Sequence, residues 1–179
     1  MHIYFTRHGQ TIWNVQNKIC GATDVQLTKK GYEQAHELGE KIKKNKYDIQ
    51  EILYSPLIRA SETARIISEV TGIPAKEEIR LKEQCFGIYE GTSRNGGNFA
   101  IAKTNFLDSY QGGESMMRTG QRIYNLLDEI KNQDKIYLLV AHNGIARFVR
   151  SYFEDMTNSE FSRNGIKNCA IYRYDYRQE

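Results

Sequence analysis

Two histidines, two arginines and a glutamate stand where short apolar runs of the chain end. Arg7 and His8 close the run in "YFTRHGQTIWN" (Tyr4–Asn14), and His142 follows "IYLLVA" (Ile136–Ala141). Arg59 lies just beyond "EILYSP" (Glu51–Pro56), and Glu83 just beyond "IPAKEEIRL" (Ile73–Leu81). Guanidinium groups are permanently charged and forked, and match the oxygens of a phosphate. A histidine in their field has a ring nitrogen able to attack phosphorus and form a covalent intermediate. A second histidine can donate a hydrogen bond to oxygens that gain charge in the transition state. A carboxylic acid can protonate the leaving oxygen, which a histidine acting as nucleophile has no proton to do. Residue chemistry alone leaves the nucleophile open between His8 and His142.

These side chains act together only if the elements carrying them share an edge. "HIYFT" (His2–Thr6), "EILY" (Glu51–Tyr54), "IYLLVA" and "CAIYRYDY" (Cys169–Tyr176) read as strands, and Ile73–Leu81 as a weaker one. Between them lie amphipathic stretches. Leu27–Lys44 reads as a helix opened by Thr28, with Tyr32, Ala35, Leu38 and Ile42 on one face. A second starts at Ser55-Pro56, as N-cap and first helical residue, and carries Ala60, Ala64 and Ile67 inward. Ser115–Asn132 places Met116, Ile123, Leu127 and Ile130 inward, and Gly144–Phe153 is the last predicted helix. Residues from about 89 to 113 carry Gly and Asn with little periodicity, predicting a loop or lid with one short helix at most. Strands separated by helices require crossovers, hence a largely parallel sheet covered on both faces. The expected fold is a single three-layer α/β/α domain over residues 1–179, with its ligand site at the carboxyl ends of the strands. Gly9 would let the chain turn away from a phosphate without crowding it, and the second helix's N-terminus would add positive potential at that edge.

Composition narrows the setting. The chain has 179 residues, 40% hydrophobic and 26% charged, with a formal charge of +3. Its densest basic stretch, "KIKKNK" (Lys41–Lys46), suits a solvated helix end rather than a nucleic-acid face. Cys20, Cys85 and Cys169 are far apart, which fits a reducing cytoplasm and neither a disulfide framework nor a zinc cluster. The four histidines lack HxxxH or carboxylate-rich spacing, so no metal is expected. No signal peptide or membrane span is predicted.

Taken in order, these segments resemble the histidine phosphatase superfamily, also called the phosphoglycerate mutase-like family. The matching stretches are "RHGQT-x-x-N" (Arg7–Asn14), "LTKKGYEQA" (Leu27–Ala35), "SPLIRASETA" (Ser55–Ala64), "LKEQCFGIYEG" (Leu81–Gly91), "GGES" (Gly112–Ser115) and "VAHNGIAR" (Val140–Arg147). The resemblance implies a phosphoglycerate mutase-like fold and phosphoryl transfer without an organic cofactor or metal. It implies that His8 is the nucleophile and becomes a phosphohistidine, that Arg7, Asn14, Arg59 and His142 form the phosphate pocket, and that Glu83 is the general acid. It also implies that the Asn143 N–H reaches a phosphate oxygen.

Departures from the family pattern point to its phosphatase branch. Mutases carry a longer insertion with paired arginines for a substrate carboxylate, whereas the interval here, Thr92–Gln111, is short and offers only Arg94 and Lys103. Phe86 replaces the tyrosine that mutases favour, and Asn143 stands where phosphatases more often have glycine. The expected activity is a metal-independent phosphomonoesterase acting on a small phosphorylated metabolite, with no nucleic-acid or membrane partner. A mutase or bisphosphoglycerate-type phosphatase is the second reading, and a phosphate-binding module that has lost the reaction the third. Tyr89, Phe99, Phe106 and Tyr110 either line the substrate pocket or pack the lid.

Overall fold

Short apolar runs with long amphipathic ones between them build a five-stranded sheet in the computed structural model, which describes residues 1–163 and 165–177. The first half of the chain forms β1 (His2–Arg7), α1 (Ile12–Val15), α2 (Lys29–Lys44), β2 (Glu51–Tyr54), α3 (Ile58–Thr71) and β3 (Ala75–Glu77). The second half forms α4 (Gly97–Ala102), α5 (Met116–Lys131), β4 (Tyr137–Ala141), α6 (Asn143–Phe153), α7 (Asn158–Arg163) and β5 (Ile171–Asp175). The sheet order is β3-β2-β4-β1-β5, and only β5 runs antiparallel, against β1.

The core divides by strand alternation, as a sheet buried on both faces requires. Ile3, Phe5, Leu53, Leu139 and Ala141 face one way and pack with Ile123, Leu127, Ile145 and Val149 of α5 and α6. Tyr4, Ile52, Leu138 and Val140 face the other way and meet Leu38, Ile42, Ala64 and Ile67 of α2 and α3. This is the expected three-layer arrangement around a mostly parallel sheet. Its central strand, β4, is buried along its whole length.

Several local expectations need correction. Tyr32 is 40% exposed rather than inward, because Gly31 and Ala35 bring α2 close against its neighbours and leave Tyr32 at the flank. Ser55 and Pro56 precede α3, whose N-cap position is Leu57 with no side-chain cap. The cap comes from elsewhere: the Ile58 N–H donates to Asp24 at 2.7 Å, so a carboxylate already occupies that positive helix end. The segment 73–81 gives only three strand residues, all exposed at the sheet edge, followed by a 3-10 turn over Ile79–Leu81. Residues 89–113 hold the short helix α4, and their aromatics form a small core. Phe99 and Tyr110 are buried with Ile19 and Phe86, and Tyr89 packs against them. Phe106 instead joins the α5–α6 core.

Gly9 is required for a reason other than the one its neighbours suggest. A Cβ there would run into the main chain of Gly31, and a Cβ at Gly31 would meet the Gln10 carbonyl. The turn after β1 thus lies backbone to backbone on the start of α2, where the Thr28 N–H donates to the Gln10 carbonyl at 2.8 Å. Gly9→Ala should therefore destabilise the protein by about 1–3 kcal/mol, the usual size of an overpacking defect. Urea unfolding of the variant measures this, and unchanged stability would show that the turn can move aside.

Candidate active site

Strand register creates the site. Arg7 pairs with Ala141 and Thr6 with Val140, while Tyr54 pairs with Val140 from the other side. The first residues past the strand ends, His8, His142 and Ser55, therefore leave the sheet on one rim. The His8 N–H donates to the Ala141 carbonyl at 3.0 Å, and the Ser55 N–H to Val140 at 3.1 Å. The two imidazole rings lie 5.2 Å apart between centroids. Arg59, in the first turn of α3, reaches the same place, and all of these groups are withdrawn from water. Exposure is 4% for His8, 0% for His142, 1% for Arg59 and 4% for Glu83.

His8 has a determined tautomer. Its Nδ1 lies 2.7 Å from the Gly9 carbonyl, which can only accept, so Nδ1 carries the proton and Nε2 the lone pair. Burial, then Arg59 and Arg7, hold the His8 ring well below the usual histidine range. His142 is also pushed well below it, by burial first and then by Arg59, His8 and Arg7. Both rings are therefore neutral at physiological pH. His142 bonds Ser55 Oγ through Nε2 at 2.7 Å, and its buried Nδ1 has no hydrogen-bond partner.

The arginines are anchored by main-chain carbonyls. Arg59 donates from Nη1 to Thr23 at 2.8 Å and from Nη2 to Gly21 at 2.6 Å. The same loop is held from its other side by Glu90, whose carboxylate accepts the N–H groups of Gly21, Ala22, Thr23 and Phe86 and the Thr23 hydroxyl. Burial opposes the Glu90 charge, yet these bonds outweigh it and keep the carboxyl below its ordinary range. Arg7 donates from Nη1 to Ile166 at 2.9 Å. Burial, with Arg94 nearby, draws its guanidinium down to about 10, still charged at neutral pH. The Nε atoms of Arg7 and Arg59 are buried without a partner. With His142 Nδ1 they make three buried polar atoms left unsatisfied on one rim, the signature of a site built for an acceptor-rich anion.

The loop before β5 ties several of these groups together, a role that no motif in the sequence announces. Asn143 Oδ1 accepts from the Ile166 N–H at 2.9 Å, and the Ile166 carbonyl in turn holds Arg7. Asn168 donates from Nδ2 to the His8 carbonyl at 2.8 Å and to Asn14 Oδ1 at 3.4 Å. Asn14 Oδ1 also accepts the Thr11 N–H in a reciprocal cap on α1, which leaves the Asn14 NH2 as the group able to serve a ligand oxygen. Sequence spacing cannot find Asn168, because its partners lie more than 150 residues away along the chain.

Glu83 sits against the start of α6. Its Oε2 accepts the Gly144 N–H at 2.9 Å and its Oε1 the Gln84 N–H at 3.0 Å. Any Cβ at position 144 would fall on this carboxylate, so glycine is needed there for the close approach. The turn carrying Glu83 is braced by Arg122, which pairs with both oxygens of Glu114 and also donates to the Arg80 carbonyl. Arg7, His8, Asn14, Glu83 and Asn143 line one cleft together with Cys20, Phe86, Arg94, Phe99, Lys103, Gly144 and Arg147. Arg59 and His142 are buried and are not among its lining residues. Arg147, which ends the "VAHNGIAR" stretch one helical turn after Gly144, adds a further cation that no motif marks as functional. Among the described residues no cluster of three or more His, Cys, Asp or Glu is placed to hold a metal, and no helix is long and apolar enough to cross a membrane.

Comparison with known proteins identifies the family. The family model described as histidine phosphatase superfamily (branch 1) matches residues 3–179, so the chain belongs to that superfamily. A relative from Erwinia tasmaniensis named "Probable phosphoglycerate mutase GpmB" is 27% identical over 187 residues, covering 99% of this chain and 86% of its own length. The solved structure of a mycobacterial glucosyl-3-phosphoglycerate phosphatase superposes with a TM-score of 0.80 at 25% identity, covering 96% of this chain and 88% of that one. The α-ribazole phosphatase from Shigella flexneri shares the fold, with a TM-score of 0.83 at 22% identity over 99% of this chain and 92% of that one.

Two measurements check the site. In the ligand-free protein the ring signals of His8 and His142 should stay neutral as the pH falls through 6.5, the ordinary histidine value. The unfolded chain takes up protons there and the folded one does not, so stability should also decline below that pH. Titration of either ring near 6.5 in histidine-labelled NMR spectra would contradict the assignment. Asn143→Ala should weaken binding of inorganic phosphate by about 5–10-fold, the worth of one buried hydrogen bond transmitted through Ile166 to Arg7. Calorimetric titration gives that value, and unchanged affinity would detach Asn143 from the anion site.

Proposed function

We propose that the chain is a metal-independent phosphomonoester hydrolase that works through a phosphohistidine at His8 and acts on a small phosphorylated metabolite. The observation that carries this reading is the state of His8. Its Nδ1 proton is committed to Gly9, its neutral Nε2 lone pair is available, and Arg7 and Arg59 supply positive charge beside it. A protonated histidine could not attack phosphorus, whereas this one needs no proton removed first.

The steps follow from the groups present. The phosphoryl oxygens take hydrogen bonds from Arg7, Arg59, the Asn14 amide and the main-chain N–H of Asn143. In this reading Ser55 Oγ, which accepts the Leu57 N–H at 3.3 Å, donates a hydrogen bond to His142 Nε2. The His142 proton then rests on Nδ1, able to bond an oxygen that gains charge in the transition state. His8 Nε2 forms the bond to phosphorus while the ester oxygen departs with a proton from Glu83. In the second half, Glu83 takes a proton from water as its oxygen attacks phosphorus, and the P–N bond breaks to release phosphate and His8. The phosphatase among the 25%-identical solved structures, and the short 92–111 segment over the cleft, support hydrolysis as the outcome.

The mutase reading has two observations in its favour, the relative named a probable phosphoglycerate mutase and the cation that Arg147 adds to the cleft. Stimulation of 3-phosphoglycerate isomerisation by 2,3-bisphosphoglycerate would replace hydrolysis with that activity. Under the hydrolase reading, His8→Ala abolishes turnover of p-nitrophenyl phosphate, and chelator leaves the native rate unaltered. Arg59→Ala lowers the rate by about 10²–10³, the usual loss for one strong electrostatic stabiliser. Full activity in the His8 variant would overturn the proposal.

A further inference from the structure

The outer side of α5 is apolar where an amphipathic helix should meet water. Met117 and Tyr124, seven residues apart and so on one helix face, are 59% and 37% exposed. Gly120 stands between them without a side chain, and the Phe148 ring of α6 lies within ordinary contact of where its Cβ would be. Phe161 of α7 packs edge-on against Phe148, with ring centres 5.0 Å apart. With Phe106 and Met156 these residues line a groove of about 670 Å³. Large apolar side chains left facing water around a concavity mark a place where something binds.

Charge and size say what. Arg118 is the only charged residue among the described residues that line the groove, and it forms no ion pair with a described carboxylate. The hydroxyls of the wall are already satisfied. Ser151 donates to the Phe148 carbonyl at 2.9 Å, which leaves Tyr124 as the donor to Ser151 Oγ, also at 2.9 Å. The groove therefore offers apolar surface along its length and one exposed guanidinium, whose fork matches a carboxylate. Eleven described residues line it, against roughly 20–30 on each side of a stable protein interface. Its volume instead falls within the range of small-molecule sites, about 300–1,000 Å³. From Met117 to Tyr124 the helix runs about 10 Å, the reach of an extended chain of about eight carbons. The flexible thioethers of Met117 and Met156 can adapt to such a chain.

We infer that this groove is a second ligand site, for a medium-chain carboxylate whose apolar tail lies along Met117, Phe148 and Tyr124 and whose carboxylate meets Arg118. The occupant would touch the segment over the cleft, because Phe106 belongs to that segment and its carbonyl accepts the Met117 N–H at 3.1 Å. The groove and the cleft at His8 share no lining residue, so this ligand and phosphate bind without excluding each other. Two other accounts compete with this one: adsorption of any apolar molecule, which would ignore the carboxylate, and burial of the groove against a second copy of the chain.

Octanoate, 1-octanol and butyrate separate these accounts when titrated into protein with methyl-labelled methionine and followed by NMR. Octanoate should shift the Met117 and Met156 methyl signals. It should bind about 3-fold more tightly than octanol, the worth of one exposed ion pair. Its advantage over butyrate, which lacks four of its methylenes, should exceed about 10-fold. Arg118→Gln, a change at an exposed position that the fold tolerates, should bring octanoate to the affinity of octanol and leave octanol binding as it was. Saturating inorganic phosphate should leave the octanoate affinity unaltered. Methionine signals indifferent to octanoate overturn the inference, as does equal binding of octanoate and butyrate, or an advantage over octanol that survives Arg118→Gln. Displacement of octanoate by phosphate would place it in the cleft and overturn the second site. Sedimentation that shows a dimer, with the same two methyl signals moving as protein concentration rises, would give the groove to a second copy instead.

Discussion

The hydrogen bond from His8 Nδ1 to the carbonyl of the next residue governs the chemistry open to this site. It places the proton on one ring nitrogen and leaves the other bare, in a setting where burial and two guanidiniums forbid a second proton. A neutral histidine between cations is an unusual arrangement to maintain. It persists because neither arginine can swing away: Arg59 is fixed to Gly21 and Thr23, and Arg7 to Ile166. Each arginine keeps its Nε unsatisfied inside the protein. Buried donors without acceptors cost free energy, and an anion that satisfies several of them at once recovers it on binding.

Support for these arginines comes from two loops distant in sequence. Glu90 gathers four N–H groups and a hydroxyl around its carboxylate and thereby shapes the loop whose carbonyls receive Arg59. The loop before β5 does the same for Arg7, through Asn143 and Ile166, and steadies His8 and Asn14 through Asn168. The site is preorganised because the main-chain groups that hold its cations are themselves held. Glu83 joins by docking on the first turn of α6, where only glycine allows the approach.

Much of this was legible in the residues. Strand ends carrying Arg7, His8 and His142 are visible from apolar runs that stop at polar residues, and parallel topology sends them to one rim. Arg59 and Glu83 follow from the same rule. What stayed hidden depends on contacts between remote segments. Asp24 caps α3 in place of Ser55, which instead serves His142. Gly9 faces the backbone of Gly31 rather than a ligand. The oxygen of Asn143, which looked like a mere replacement for glycine, ties down Ile166, and Arg147 turns a weakly cationic lid into a strongly cationic cleft. The edge segment 73–81 misled because its residues suit a strand, but only three of them find a neighbour in β2.

The central claim is that His8 Nε2 is the atom that receives the phosphoryl group. Rapid quenching of the enzyme during turnover, followed by mass spectrometry and phosphorus NMR under alkaline conditions that preserve phosphohistidine, tests it directly. A single phosphoryl group is expected on His8, attached at Nε2, forming and decaying fast enough to carry the steady-state rate. Label on His142, attachment at Nδ1, or turnover without any phosphorylated histidine would contradict it.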